Sequence, residues 1–348
     1  MSRAVVLAVI VAAVVKSSYA GDQSEPTAAI LQIEKVDDSL SPVMPPDKQR
    51  TVSPEGVDFL KRLSNNTPFG TFDFDLKGLR AGMGARQEPA GKDIKLIRIK
   101  IGEIPCEWVL APNADPDVRL LYLHGGGWVS GAGGNYLPLA ADISTAARCA
   151  VLLPDYRLAP EHPFPAGLED CIAALDWLIV NGPSGSGSAK ATFIAGDSAG
   201  GNLTLATLLA LRDRKRRLPA GGIALSAATD FTLASDSLKS VHDPIISART
   251  MPEFRDRYLQ KSDPRNPLAS PVFGDYHGIP PLLIQVGEHE MLRDDSVRVA
   301  KKASSDGISV KFEIWPGMVH VFQIRGLPES REAITQIAEF MRSQRSPQ

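Results

Sequence analysis

The chain has few cysteines, few aromatic residues and no excess of either charge. Its 348 residues include three cysteines, and 38 basic against 40 acidic side chains leave a formal net charge of −2. Three cysteines are too few for a disulfide scaffold, and none has metal-ligand spacing. The balanced charge gives no basic face of the kind that nucleic-acid-binding proteins present. We therefore expect no metal, no organic cofactor, no nucleic-acid partner and free buried thiols at Cys149 and Cys171, with a single disulfide as the alternative.

Long apolar runs are also missing, except at the N-terminus. Arg3 precedes an apolar run over residues 4–15, and small residues stand at Ser18 and Ala20. This pattern is typical of a secretory signal peptide over residues 1–20. The run would form only ~18 Å of helix, short of the ~30 Å hydrocarbon core, which makes a membrane anchor the weaker alternative. We expect a secreted or periplasmic mature protein that begins at Gly21 and has no stable membrane insertion.

The rest of the chain divides into a polar leader and one large domain. Residues 21–52 are polar and predict a flexible leader, after which Ser53 and Pro54 suit the N-cap and first position of a helix. From about residue 93, short apolar runs alternate with helical patterns, which predicts a mostly parallel sheet covered on both faces. The predicted strands are Val118–Leu123, Ala150–Leu153, Thr192–Ala195, Ile223–Ser226, Leu282–Val286 and Val310–Trp315. A polar and helical insertion over about 229–271 interrupts this rhythm and predicts a lid.

A candidate nucleophile stands in the sequence Gly196-Asp197-Ser198-Ala199-Gly200. This segment follows a predicted strand and precedes a predicted helix. A nucleophile on so sharp a turn leaves almost no room for side chains two residues away, which explains the flanking glycines. The pattern therefore predicts that Ser198 is the nucleophile of a serine hydrolase.

A second signal is His124-Gly125-Gly126-Gly127-Trp128, which ends another predicted strand. Three glycines allow the backbone to approach a substrate closely and to direct N–H groups at a developing oxyanion. A phosphate-binding loop is the alternative, but no Lys-Ser or Lys-Thr pair follows the glycines. The sequence therefore favours an oxyanion hole.

The base and the acid follow from the order of the chain. His320 comes just after the last predicted strand, and the order Ser, acid, His is the one expected of α/β-hydrolases. The acid should lie after the strand Leu282–Val286. Asp294 and Asp295 also suit the start of the next helix, which leaves Glu288 and Glu290 as the candidates.

Together these motifs resemble the hormone-sensitive-lipase-like esterases, a bacterial family of the α/β-hydrolase superfamily. The segment Asp155–Ala166 matches a further hallmark of that family, and the likeness extends from about Ser53 to about Phe340. The resemblance implies an α/β-hydrolase fold, with a mostly parallel central sheet flanked by helices. The implied domains are a helical cap, made of residues 53–90 and the insertion 229–271, and a catalytic domain over 91–345.

The resemblance also assigns roles to individual residues. It implies Ser198 as nucleophile, His320 as base and Glu290 as acid, although the family more commonly has Asp at the acid position. The implied oxyanion donors are the backbone N–H groups of Gly125, Gly126 and Ala199. Residues implied to brace the loops behind the site are Tyr156, Arg157 and Glu161. The residues expected to line the substrate pocket are Trp128, Asp197, Phe69 and Phe72.

We therefore expect an exported serine carboxylesterase that hydrolyses short-acyl esters of small alcohols. The segments 263–271 and 283–287 look most like a branch with monoterpene lactone hydrolases and small-ester hydrolases. A lactone hydrolase, or a deacetylase of a sugar or an antibiotic, would use the same chemistry. A non-catalytic small-molecule receptor is the alternative of another class, but such receptors have lost the base, and His320 is present here. The sequence leaves the oligomeric state open.

Overall fold

The six predicted apolar runs all lie in one central sheet. A computed structural model describes residues 50–64, 68–69, 74–89, 91 and 93–345. The predicted signal peptide, most of the predicted leader and Phe72 lie outside these residues. The strands in the described part are β1 (Lys95–Ile101), β2 (Ile104–Leu110), β3 (Asp115–Leu123), β4 (Cys149–Pro154), β5 (Asn181–Gly182), β6 (Gly185–Ser186), β7 (Ala191–Asp197), β8 (Gly221–Leu225), β9 (Leu282–Gly287) and β10 (Val310–Trp315).

Eight of these strands form a mostly parallel sheet in the order β1-β2-β4-β3-β7-β8-β9-β10. β2 is antiparallel to β1 and β4, and every other neighbouring pair is parallel. β5 and β6 form a separate small hairpin. The predicted α/β class is confirmed. The sequence did not predict the β1–β2 hairpin, because its strands carry charged residues and Pro105 instead of a continuous apolar run.

Helices cover both faces of the sheet. In the described part they are α1 (Pro54–Leu63), α2 (Leu76–Met83), α3 (Leu137–Ala147), α4 (Ala166–Val180), α5 (Ala199–Asp213), α6 (Ser237–Ser240), α7 (Met251–Leu259), α8 (Arg293–Ser305) and α9 (Pro328–Ser343). α4, α5 and α8 share one apolar core, and α3 and α9 pack in the core on the opposite face. None of the described helices combines the length and the apolar character that crossing a membrane requires.

The described chain begins with a segment that is fixed to the catalytic domain. Arg50, within the predicted leader, lies 4.0 Å above the ring of Trp315 and pairs with Glu313 at 3.1 Å. Ser53 caps α1 as predicted, because its Oγ accepts a hydrogen bond from the N–H of Gly56 at 3.0 Å. Arg50, near the end of the predicted leader, therefore packs against β10 at the edge of the sheet.

The insertion over 229–271 contains α6 and α7 and is fastened to the first turn of α8. Asp294 accepts a hydrogen bond from the N–H of Ser237 at 2.9 Å. Asp295 is buried and accepts from the N–H groups of Thr229 at 2.6 Å and Asp230 at 3.1 Å. Both carboxylates suit the positive end of the helix dipole, as the sequence predicted, and they also hold the insertion.

All three cysteines are buried free thiols, so that the disulfide alternative is wrong. Burial raises the pKa of the Cys106 and Cys149 thiols to about 12. Because the thiolate is the reactive form of cysteine, these side chains behave as small apolar groups in the core.

Candidate active site

Ser198 occupies the strained turn between β7 and α5. Its φ of 51° and ψ of −116° lie outside the regions that non-glycine residues prefer. The turn is held by a hydrogen bond from the Ser198 N–H to the carbonyl of Leu225 at 2.8 Å. A Cβ on Gly200 would overlap the carbonyl oxygen of Leu123, which explains why this position requires glycine. The backbone thus holds the hydroxyl of Ser198 at the carboxyl edge of the sheet.

His320 approaches this hydroxyl from the loop after β10. Its Nε2 lies 3.1 Å from the Oγ of Ser198, and its Nδ1 lies 3.0 Å from the Oε2 of Glu290. The imidazole is 6% exposed and Glu290 is fully buried. The predicted nucleophile, base and acid therefore form one hydrogen-bonded chain, an arrangement that can activate a serine.

The loop after β9 places the four carboxylates that the sequence offered as acids in different positions. Glu290 Oε1 accepts from the Oγ of Ser226 at 2.7 Å and from the N–H of Gly287 at 2.5 Å, which leaves Oε2 directed at His320. Glu288 instead accepts from the N–H of Gly317 at 2.8 Å. Asp294 and Asp295 are engaged with the insertion. Of the four, the structure brings Glu290 to His320.

The glycine loop differs from the prediction at one donor. The N–H of Gly125 donates to the hydroxyl of Tyr136 at 3.0 Å, so that it is not available to an oxyanion. Among the described residues, no acceptor is bonded to the N–H groups of Gly126, Gly127 or Ala199. Gly126 has a φ of 119°, which only glycine adopts readily. Gly125 is therefore not a free donor, contrary to the prediction, and the N–H groups left free in the described part of the chain are those of Gly126, Gly127 and Ala199.

Asp197 does not line an open pocket, contrary to the prediction. Its carboxyl group is 1% exposed and accepts from the hydroxyls of Tyr122 and Tyr136, each at 2.9 Å. Burial raises the pKa of Asp197 to about 6, although both tyrosine hydroxyls lower it. Because Tyr136 also accepts from Gly125, Asp197 supports the glycine loop from behind.

Trp128 is also enclosed by protein instead of lining an open pocket. Its indole ring is 2% exposed and stacks on Tyr258 at 5.0 Å between ring centroids, with Phe231 at 4.6 Å. Tyr258 and Phe231 both lie in the insertion 229–271. Trp128 thus packs the glycine loop against the insertion, contrary to the prediction that it lines the pocket.

A second aromatic group lies directly over the glycine loop. We define the cap cluster as Phe69, Phe74 and Phe254. The ring of Phe74 lies 5.3 Å from Phe254 and 6.2 Å from Phe69 between centroids. A Cβ on Gly127 would overlap the ring of Phe254. The predicted pocket residue Phe69 therefore belongs to a cluster that covers the oxyanion loop, and sequence reasoning missed Phe254 because it is distant in the chain.

The residues expected to brace the loops make strong contacts. Tyr156 donates from its hydroxyl to the carbonyl of His124 at 2.7 Å. Arg157 forms a bidentate pair with Asp170, and Glu161 forms one with Arg80 of α2. The pair between Glu161 and Arg80 joins α2, in the predicted N-terminal cap segment, to the loop after β4.

Comparison with known proteins gives the family. A model of the alpha/beta hydrolase fold family matches residues 120–324. A crystal structure of an esterase from the bacterial hormone-sensitive lipase family is 37% identical, covers 85% of this chain and all of its own, and has a TM-score of 0.75. The chain belongs to the hormone-sensitive-lipase-like esterases. This esterase is accordingly a carboxylic ester hydrolase, as predicted.

Other relatives of the esterase carry related names. An acetyl-hydrolase of Streptomyces hygroscopicus is 40% identical over 250 residues, which cover 70% of this chain and 82% of the relative. An esterase of Acinetobacter venetianus is 33% identical over 260 residues, covering 73% of this chain and 84% of the relative. The structure of EstE5 soaked with p-nitrophenyl butyrate is 40% identical, covers 84% and 99% of the two chains, and has a TM-score of 0.77.

Proposed function

We propose that this protein is an exported serine carboxylesterase that hydrolyses short-acyl esters of small alcohols through Ser198, His320 and Glu290. The observation that carries the proposal is the hydrogen-bonded chain from Ser198 Oγ through His320 to the buried carboxylate of Glu290. The N–H groups of Gly126, Gly127 and Ala199, which have no acceptor within the described residues, support an oxyanion hole next to this chain.

In this mechanism, Ser198 Oγ attacks the ester carbonyl carbon while His320 Nε2 accepts its proton. The three backbone N–H groups stabilise the negative oxygen of the tetrahedral intermediate. The bond to the alcohol then breaks, and His320 returns the proton to the leaving oxygen. Water repeats the attack on the acyl-serine with His320 as base, which releases the carboxylic acid and restores Ser198. Glu290 keeps the imidazole oriented and stabilises its charged form.

The proposed short-acyl preference rests on the cap cluster. The ring of Phe254 lies against Gly127, so that the cap cluster stands next to the proposed oxyanion loop. A series of p-nitrophenyl esters from acetate to decanoate should give a kcat/KM that is highest for acyl groups of four carbons or fewer.

Phe254→Ala should raise the ratio of kcat/KM for the octanoate ester to kcat/KM for the butyrate ester by roughly 10-fold. The reason is that space for one more methylene in an apolar pocket changes discrimination by about this factor.

Trp128→Phe serves as the matched control for this variant. It keeps an aromatic ring in the stack with Tyr258, so that the acyl-length profile should not change. A Phe254→Ala enzyme with the wild-type profile would refute the role of the cap cluster in acyl selection.

We expect kcat/KM for ester hydrolysis to fall as the pH is lowered, with an apparent pKa above 6.5. Burial lowers the pKa of His320, but the hydrogen bond and charge of Glu290, with Asp243 and Asp197, raise it above its ordinary value of 6.5. Below this pKa, protonated His320 cannot accept the proton of Ser198, and kcat/KM decreases. A profile of kcat/KM against pH that stays flat down to pH 4 would contradict a histidine base.

Acetyl is the acyl group that appears in the names of two relatives. The acetyl-hydrolase of Streptomyces hygroscopicus and a putative acetyl-hydrolase of Mycobacterium tuberculosis, 35% identical over 262 residues, are named for it. A deacetylase acting on a larger acetylated alcohol is therefore the second candidate function. Assays of acetylated sugars beside the p-nitrophenyl series distinguish the two functions. A deacetylase should have a kcat/KM for the acetylated sugar that is at least ~10-fold higher than for p-nitrophenyl acetate.

The proposal of export rests on residues 1–20 alone. Their charged start, apolar run and small residues before Gly21 are typical of a cleavable signal peptide. Mass spectrometry of the protein from its native host should find Gly21 at the N-terminus. Recovery of Met1 or Ser2 from a cytosolic fraction would refute export.

A further inference from the structure

Both backbone polar groups of Met291, the residue directly after Glu290, are bound by the insertion. Its N–H donates to Oδ2 of Asp243 at 3.2 Å, and its carbonyl accepts from the Oγ of Ser237 at 2.7 Å. Met291 is 1% exposed, so that these contacts are buried. The acid loop, residues 288–292, is therefore held by the insertion as well as by the catalytic domain.

The two carboxylate oxygens of Asp243 have separate partners. Pro244 has no N–H, so that the first backbone donors after Asp243 come two residues later. The N–H groups of Ile245 and Ile246 donate to Oδ1 at 2.8 and 3.2 Å. Oδ2 accepts from Met291. One oxygen thus shapes the insertion, and the other joins it to the acid loop.

The segment after Asp243 also contacts the N-terminal cap segment and the loop of the base. The carbonyl of Ile245 accepts from the N–H of Phe69 at 2.8 Å. The side chain of Ile245 packs against the apolar cluster that contains Met318, two residues before His320. Asp243 therefore lies where the two predicted cap segments meet the loops that carry the acid and the base.

The hydrogen-bonded chain through Glu290 tolerates little movement of the backbone that carries it. Oε1 of Glu290 is held by Ser226 and Gly287, and Oε2 lies 3.0 Å from Nδ1 of His320. A displacement of about 1 Å in an active site can lower a rate by roughly 100-fold. A contact that fixes the residue after Glu290 can therefore affect catalysis from outside the site.

We propose that Asp243 is a positioning residue for Glu290, because it holds the acid loop through Met291 and thereby ties the insertion to the proton-transfer chain. Asp243 acts through the acid, and Ser237 supports the same residue from its carbonyl side. This inference rests on the proposed esterase mechanism and adds a residue to that same site.

Asp243 also belongs to the charged groups that face His320. Burial lowers the pKa of His320, but three carboxylates raise it above its ordinary value: Glu290 in the acid loop, Asp243 in the insertion and Asp197 at the end of β7. Asp243 in turn faces His320, Glu290 and Arg325. Removing the charge of Asp243 should lower the pKa of the base, a change that a loss of packing alone would not produce.

Asp243→Asn separates the two roles of the carboxylate. The amide oxygen keeps the bonds to Ile245 and Ile246, while the amide N–H₂ faces Met291 and cannot accept its hydrogen bond. We expect kcat for p-nitrophenyl butyrate to fall by at least ~10-fold with KM within about twofold, because the chemical step is impaired and binding is not. The apparent pKa of kcat/KM should fall by at least ~0.5 unit.

A double-mutant cycle with Glu290→Gln tests whether Asp243 acts through the acid. In the Glu290→Gln background, Asp243→Asn should change kcat by less than about twofold, because residues that act as a unit are not additive. The same fold-loss in both backgrounds would overturn the proposal. An Asp243→Asn enzyme with the wild-type kcat and apparent pKa would overturn it as well.

Asp230→Asn is the matched control within the insertion. Asp230 is 5% exposed, against 4% for Asp243, and its side chain bonds to Thr232 and to Arg298 of α8. This variant should keep the wild-type apparent pKa, and any loss of kcat should be equal in the two backgrounds. If Asp230→Asn reproduces the shift in apparent pKa, the effect belongs to the insertion as a whole and the proposal is wrong.

Ser237→Ala tests the same contact if Asp243→Asn does not fold. It removes the donor to the carbonyl of Met291 and should lower kcat by at least ~3-fold, the effect of one buried hydrogen bond. This loss should disappear in the Glu290→Gln background, and no loss, or an equal loss in both backgrounds, would overturn the proposal. A wild type without ester hydrolysis, or a fully active Glu290→Gln enzyme, would instead refute the proposed function.

Discussion

Ser198→Ala is expected to lower kcat/KM for p-nitrophenyl butyrate by at least ~10³, with little change in melting temperature. The variant removes only the Oγ that His320 contacts at 3.1 Å, and the turn that carries residue 198 is held by its backbone. The activity that remains would come from the oxyanion hole and from substrate binding.

Labelling by a fluorophosphonate tests the same point without a substrate. Wild type and the control Ser305→Ala, an exposed position in α8, should be labelled equally. Ser198→Ala should not be labelled. A labelled Ser198→Ala protein would show that another residue is the nucleophile.

Glu290→Gln is expected to lower kcat by roughly 10⁴. Glu290 Oε1 accepts from Ser226 and Gly287, and an amide oxygen keeps these two hydrogen bonds. The amide N–H₂ would then face Nδ1 of His320 and favour the tautomer that carries its proton on Nε2. That tautomer cannot accept the proton of Ser198. Measurement of kcat beside a melting curve separates this loss from unfolding.

Asp294→Asn is the matched control in the same loop. Asp294 lies in the first turn of α8 and accepts from the N–H of Ser237, away from His320. Losing its charge should cost only ~0.3–1 kcal/mol of stability, seen as a lower melting temperature, with far less effect on kcat. If Asp294→Asn is the inactive enzyme and Glu290→Gln is not, the assignment of Glu290 is wrong.

The sheet was predictable because a strand buried on both faces needs a continuous apolar run. Val310–Trp315 has the same bounds in the sequence prediction and in the structure, and the other five predicted strands differ by a few residues at their ends. The β1–β2 hairpin was not predictable in this way. β1 is the edge strand of the sheet, where charged residues such as Arg98 reach solvent and interrupt the apolar pattern, and β2 contains Pro105 and Glu107.

The errors in the site have a different cause. The N–H of Gly125 is occupied by the hydroxyl of Tyr136, eleven residues away in the chain. The sequence does not show that the side chain of Tyr136 points at Gly125. Asp197 and Trp128 adjoin functional residues in the chain, but adjacency does not determine the direction of a side chain. Asp197 points behind the glycine loop, and Trp128, with a φ of 61°, turns into the cap. Only the three-dimensional packing determines which neighbours of a motif meet the substrate.

Because α8 holds the insertion, it determines which crossover points are suitable in a chimera of this protein and a relative. The acceptors for Thr229, Asp230 and Ser237 are the carboxylates of Asp294 and Asp295, outside the insertion. A chimera that exchanges residues 229–271 alone would place the insertion of the relative next to the native Asp294 and Asp295. The buried Asp295 would then depend on foreign residues for its hydrogen-bond donors. Crossover points that keep Asp294 and Asp295 together with their own insertion should yield folded hybrids. Arg298 also pairs with Asp230 of the insertion, so that the smallest segment to exchange is 229–298.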